Sequence, residues 1–238
     1  MKTAWILLLL PLVSSSLHAN TLVLDSGRQQ VTLLELYTSQ GCSSCPPAER
    51  WLNDYVDDDD LWERVVPVAF HVDYWDYIGW KDPYATAANG DRQRDYARAG
   101  QARTVYTPGF FNNGREWRGW TFRIGPRDSR KQPGNLVVRV EDGRVEADFP
   151  ANNTPMLLNI AVLGFDINTE VKRGENRNST LRQEFVSLAH ATYPSADGSW
   201  RVPLPNYVSA GAGRFGIAVW VSGTESPMPL QATGGWLK

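Results

Sequence analysis

Cysteine is nearly absent from this chain. Its 238 residues include two, Cys42 and Cys45, whereas an exported protein held together by disulfides carries several pairs. A bridge between residues three apart would close too small a loop to take much entropy from the unfolded chain. A structural disulfide is therefore the weaker alternative, and redox chemistry is the reading of the pair. Charge of one sign is lacking too: 24 Lys and Arg against 26 Asp and Glu give a formal net charge of −2, with both signs interspersed. Without a basic stripe the sequence offers no surface for nucleic acid. Beyond the first residues no apolar run approaches the roughly 20 residues that a membrane-spanning helix needs. There is no internal repeat and no low-complexity tract.

The N-terminus has its own texture. Met1-Lys2 is a short basic start, Ala4 to Val13 an apolar stretch, and Ser14 to Ala19 a small polar exit. This pattern reads as a secretory signal peptide over residues 1–19, cut after Ala19, and predicts a secreted or periplasmic protein with no membrane span once the signal is removed. The remaining length suits two small domains. Residues 20–125 read as α/β, and residues 126–238 as an all-β, sandwich-like module of short alternating strands broken by Gly, Asn and Pro.

The dithiol sits at a marked place in this pattern. Val31 to Tyr37 is apolar on both alternating faces, as in a strand covered on both sides. Cys42-Ser-Ser-Cys45 follows, and then Pro46 to Val56 has a helical pattern. Proline is tolerated only in the first turn of a helix, so the regular helix is expected to start at Pro46 and C-S-S-C to form a tight turn ahead of it. That turn aims free N–H groups at the Cys42 sulfur and favours its thiolate, the reactive form. A second buried strand spans Val65 to Val72, a polar helix runs to about Gln101, and Asn113-Gly114 marks a hairpin.

Strand, C-x-x-C, helix, strand, helix, then Thr107-Pro108 opening a hairpin is the order of elements in the thioredoxin fold. More closely, Leu34 to Ala48 (LELYTSQGCSSCPPA), Ala69 to Asp76 (AFHVDYWD), Gly79 to Pro83 (GWKDP), Val105 to Pro108 (VYTP) and Val171 to Asn176 (VKRGEN) resemble the DUF1223 family of bacterial secreted proteins. The resemblance implies a thioredoxin-like N-terminal domain, with Pro108 as the counterpart of the cis-proline that faces the dithiol. The helix that normally follows the hairpin is expected to be short or absent, because Gly125 and Pro126 interrupt it.

Three functional readings follow. In the first, an exported thiol–disulfide oxidoreductase uses Cys42 as nucleophile and Cys45 as resolving thiol on a protein or small-molecule substrate. Glu35, alone among apolar residues of the first strand, is either a buried acid that shuttles a proton to Cys45 or a carboxylate at a strand edge or paired with an arginine. Thr107 and Pro108 would hold substrate, with Trp75 and Tyr77 of the cluster Tyr74, Trp75, Tyr77, Trp80 and Tyr84 as a platform; the alternative is that these aromatics pack a lid over a small core. In the second, Cys42, Cys45 and His71 hold Cu(I), two thiolates and an imidazole being a soft ligand set. The third is a non-enzymatic binding module. Arg92 and Arg94 read as solvated helix surface.

Overall fold

The structure is a computed structural model that describes residues 21–126, 128–150 and 154–237. The signal-peptide expectation over residues 1–19 lies outside the described residues. The chain is mostly β, with few helices and large mixed sheets.

The elements that position the dithiol come early. Strand β1 spans Leu22–Asp25 and β2 Thr32–Thr38; helix α1 runs over Pro46–Asn53 and continues as a 3-10 turn, Asp54–Asp57. Strand β3 covers Val65–His71, helix α2 Ala87–Arg98, and the hairpin strands β4 and β5 are Gly109–Asn112 and Arg115–Trp117. All residues of β2 and β3 are buried, because helices and aromatic side chains cover both faces. After the hairpin comes only a four-residue 3-10 helix, Gly119–Phe122. Helix α2 begins at Thr86, whose hydroxyl accepts the Asn89 N–H at 3.2 Å, an N-cap that satisfies one of the free first-turn donors.

The second half adds β6 (Val137–Glu141), β7 (Arg144–Asp148), β8 (Met156–Phe165), β9 (Ile167–Glu170), β10 (Thr180–Gln183), β11 (Val186–Ser195), β12 (Ser199–Pro203), β13 (Arg214–Gly223) and β14 (Pro229–Leu237). The apolar-bearing run Leu181 to Ala189, which the sequence pattern would make one strand, is two, β10 and β11, separated at Phe185, which has φ of 59° and cannot continue a pleat. Strands β1, β6, β7 and β12 form a four-stranded sheet. Its inner face, including Val138, Val145 and Trp200, packs on Leu158, Ile160, Val219 and Val221.

The two segments are not separate in space. One eight-stranded sheet runs β14-β13-β8-β11-β3-β2-β4-β5, joined where β11 pairs in parallel with β3 through Val186 and Ala69. The β1 strand in turn lies antiparallel to β6. The boundary expected near residue 125 is therefore not a break in the sheet. Single-strand patterning is satisfied by any neighbour, so it does not reveal which distant strand closes an edge.

Candidate functional site

Helix α1 starts at Pro46, with Pro46 and Pro47 in its first turn and Cys45 as N-cap. C-S-S-C is a turn in which the Cys45 N–H donates to the Cys42 carbonyl at 3.2 Å. Both thiols are free and buried. The Cys42 sulfur lies 3.2 Å from the Ser44 hydroxyl. Hydrogen bonding from Cys45, together with the Ser44 and Thr107 hydroxyls, outweighs burial and brings the Cys42 thiol down to about 6. Cys45 moves the opposite way: burial, then the neighbouring Cys42, push it well above the usual thiol range. The directions are opposite: hydrogen bonding favours the thiolate at Cys42, and burial favours the thiol at Cys45.

The Thr107–Pro108 peptide bond is cis, and Pro108 lines a largely apolar groove of about 430 Å³ with Ser44, Tyr106, Arg118, Trp120 and Thr121. Of the aromatic residues named from sequence, Trp75 is a support: its indole N–H donates to the Thr107 hydroxyl at 2.6 Å. Tyr77 stacks on Trp75 and is 81% exposed. Neither lines the groove, whereas Tyr106 and Trp120 do. Replacing Thr107 with Val removes a hydroxyl that favours the Cys42 thiolate, so the midpoint of the pH profile of Cys42 alkylation is expected to rise. An unmoved midpoint would detach Thr107 from the thiol.

The acid beneath the dithiol is not Glu35. Side chains alternate along a strand, so Glu35 and Thr38 point to opposite faces of β2. Glu35, fully buried, faces α2, where Arg92 Nε donates to it at 2.6 Å, the Tyr96 hydroxyl at 2.6 Å and the Tyr37 hydroxyl at 3.3 Å. Of the two readings of Glu35, the arginine pair is the one found. Arg92 is correspondingly buried, not solvated surface, because Glu35 neutralises it and the Trp220 ring lies 4.9 Å from its guanidinium carbon.

On the α1 face, the β2–β3 register places Thr38 beside His71. The Thr38 hydroxyl donates to Glu49 at 2.6 Å. His71 Nδ1 pairs with Asp82 Oδ2 at 2.7 Å, both side chains essentially inaccessible. Burial raises the Glu49 carboxyl. For His71, burial opposes protonation, but Asp82 and Glu49 prevail and raise it. Asp82 is lowered because its pairing with His71 and the Gln40 and Tyr84 backbone N–H groups outweigh burial. His71 thus turns to Asp82. Among the described residues no three His, Cys, Asp or Glu side chains gather as a metal site.

A loop from the second half closes the site. The Asn176 amide donates to the Gln40 and Cys42 carbonyls, each at 2.9 Å, and Glu175 accepts the Ser43 N–H at 2.9 Å. Gln40 is held by Asp82, Trp80, Thr169 and Gln183. Sequence reasoning missed Glu49, Asp82, Glu175 and Asn176 as site residues. The helical spacing of Glu49 from Cys45, and the presence of the other three inside GWKDP and VKRGEN, were the available signals.

A family model described as "Protein of unknown function (DUF1223)" matches residues 33–222. No curated protein matches. Among solved structures, a protein from Agrobacterium tumefaciens determined by X-ray crystallography is similar at 27% identity and TM-score 0.62, covering 89% of this chain and 96% of that one. HBP35 of Porphyromonas gingivalis shares the fold at 15% identity and TM-score 0.56, over 89% of this chain and 76% of its own.

Proposed function

This chain belongs to the DUF1223 family, and from that premise and the state of its dithiol we propose that it is a thioredoxin-like thiol–disulfide oxidoreductase that works after export, in the periplasm or outside the cell. The observation that carries the reading is the setting of the pair on the turn ahead of α1: the Cys42 sulfur lies 3.2 Å from the Ser44 hydroxyl and Cys45 is the buried N-cap behind it, so that Cys42 is lowered to about 6 while burial raises Cys45. Near neutral pH such a pair presents one thiolate and one reserve thiol, as a two-step exchange requires. The succession β2, α1, β3, α2, β4, β5, with β3 parallel and β4 antiparallel to β2, supports a thioredoxin-like N-terminal unit built into the larger sheet.

The chemistry runs in two displacements. The Cys42 thiolate attacks one sulfur of a substrate disulfide, forming a mixed disulfide and releasing the other sulfur as thiolate. Cys45 then loses its proton and attacks the Cys42 sulfur, releasing the second substrate thiolate and leaving Cys42–Cys45 oxidised by two electrons. The reverse sequence oxidises a substrate dithiol. The groove beside Ser44 and Pro108 favours a substrate whose cysteine has an apolar neighbour, on a protein or a small molecule, because burying apolar surface contributes roughly 25 cal/mol per Å².

Replacing Cys42 with Ser is expected to bring disulfide exchange down to the background rate, measured on purified protein with a nitroaromatic disulfide whose thiolate is coloured. The reading fails if reduced wild-type protein reduces no disulfide and oxidised protein oxidises no thiol. Cell fractionation tests the compartment; protein retained in the cytoplasm would refute export.

A further inference from the structure

The two-step exchange leaves one proton unaccounted for, the one on Cys45. This thiol is completely buried, so water has no free access to it. Its surroundings are specific. From its own helix comes Glu49, whose backbone N–H donates to the Cys45 carbonyl at 3.0 Å, one turn along α1. Residues at i and i+4 of a helix lie on one face, about 5–6 Å apart between Cβ atoms, within reach of a carboxylate directly or through one water. From β2 comes Thr38, whose hydroxyl favours the Cys45 thiolate, from the C-S-S-C turn Cys42, and from the segment after β3 Tyr74, whose hydroxyl is raised by burial and by the two thiols.

Resting on the oxidoreductase reading, we propose that Glu49 is the base that takes the proton from the Cys45 sulfur when this thiol resolves the mixed disulfide on Cys42. The geometry suits a base more than a passive core residue. Glu49 is buried (4% exposed) and has no arginine or lysine partner among the described residues. Instead, the Thr38 hydroxyl fixes one oxygen at 2.6 Å, and the Gln183 amide of β10 favours the carboxylate. His71 and Asp82, the titratable groups facing it from β3 and the following segment, have opposite effects: the imidazole favours the carboxylate and Asp82 opposes it. The Gln183 side-chain nitrogen lies 3.5 Å from His71 Nε2, and the Tyr84 ring covers the imidazole at 5.5 Å. Burial raises the Glu49 carboxyl and makes it a stronger base than an exposed one, against the pull of His71, Thr38 and Gln183 toward the ionised form.

The step balances. Glu49 carboxylate becomes the acid as Cys45 becomes thiolate; the Cys45–Cys42 bond forms as the bond from Cys42 to substrate breaks, and the substrate sulfur leaves as thiolate. When the pair is reduced again, Glu49 returns the proton to Cys45. Glu35 cannot serve, since it lies on the other face of β2 and is held by Arg92.

The nitroaromatic disulfide separates the steps, because attack by Cys42 releases the first coloured thiolate and resolution by Cys45 the second. In single-turnover mixing, Glu49→Gln is expected to leave the first phase within about twofold and to slow the second roughly hundredfold, a usual loss for a general base. Glu49→Asp should recover part of the second phase, with a shifted pH midpoint. An unchanged second phase overturns the proposal, and so does equal slowing of both phases, which marks a structural disturbance. If Glu49→Gln does not fold, Glu49→Asp carries the test: it must slow the second phase alone and shift its pH midpoint, or the proposal falls. Failure of the underlying reading looks different: wild-type protein then gives no first phase, or Cys42→Ser keeps it.

Discussion

Replacing Arg92 with Leu is expected to destabilise the protein by about 3–5 kcal/mol, the usual cost of stripping one partner from a buried ion pair. Glu35 would be left in a fully inaccessible position with two tyrosine hydroxyls and no positive charge. The guanidinium also packs against Phe70, Tyr96 and Trp220, contacts that Leu reproduces only in part. For a protein of this size the loss corresponds to a fall in Tm of roughly 10 °C, and it is a large share of an ordinary folding stability of about 5–15 kcal/mol. Calorimetry of the reduced wild type and variant measures it. A double replacement, Glu35→Leu with Arg92→Leu, should cost less than the sum of the single changes, since neither charge is then left alone. A loss under about 1 kcal/mol for Arg92→Leu, typical of an exposed pair, would mean that this pair is hydrated. Glu35→Gln should leave the pH profile of Cys42 alkylation in place, because Glu35 faces away from the dithiol.

The second large effect concerns His71. His71→Gln leaves Asp82 fully buried and without its 2.7 Å partner, and a destabilisation of about 3 kcal/mol or more is expected. Its pH dependence is a sharper signature. Asp82 is lowered on folding, so its contribution is present above the ordinary carboxylate range, near pH 4, and is lost as pH falls through its folded value. His71 is raised, so its contribution is full below about 6.5 and is lost as pH rises through its higher folded value. The pair therefore stabilises most between about pH 4 and 6.5 and fades toward alkaline pH. Burial raises Glu49, which adds a contribution of the same downward sign as pH increases from acidic values. The difference in Tm between wild type and His71→Gln should be largest near pH 6 and shrink by pH 9. Comparing the two proteins at each pH cancels the titration of the cysteines. A difference that grows with pH would show that the imidazole is neutral throughout.

Both residues also show how far sequence reading reached. The helix start at Pro46 followed from the missing N–H of proline, and the structure has it there. Strands β2 and β3 and the Asn113-Gly114 hairpin were equally local, set by runs of apolar residues and by turn chemistry. By contrast, Glu35, the carboxylate inside an apolar strand, stayed open between a proton-shuttling acid and an arginine partner. Whether it faced the dithiol or α2 depended on the phase of the pleat, which a strand buried on both faces does not reveal. Arg92 looked solvated because its partner lies 57 residues away in sequence. Strands β9, β12 and β14 carry too few apolar residues, or too many glycines, for their pattern to stand out.

The sequence by itself determined that the one cysteine pair sits on a turn ahead of a helix, behind a covered strand, in a chain that resembles DUF1223 along most of its length. These are properties of short segments, fixed by proline stereochemistry, apolar periodicity and motif identity. Only the tertiary structure decided that one sheet runs through both halves, that Glu49 and not Glu35 lies on the dithiol face, and that the 171–178 loop closes over Cys42 through Asn176. Each of these depends on which distant groups meet. Burial and charge pairing are energies of the assembled neighbourhood, and no residue carries them alone.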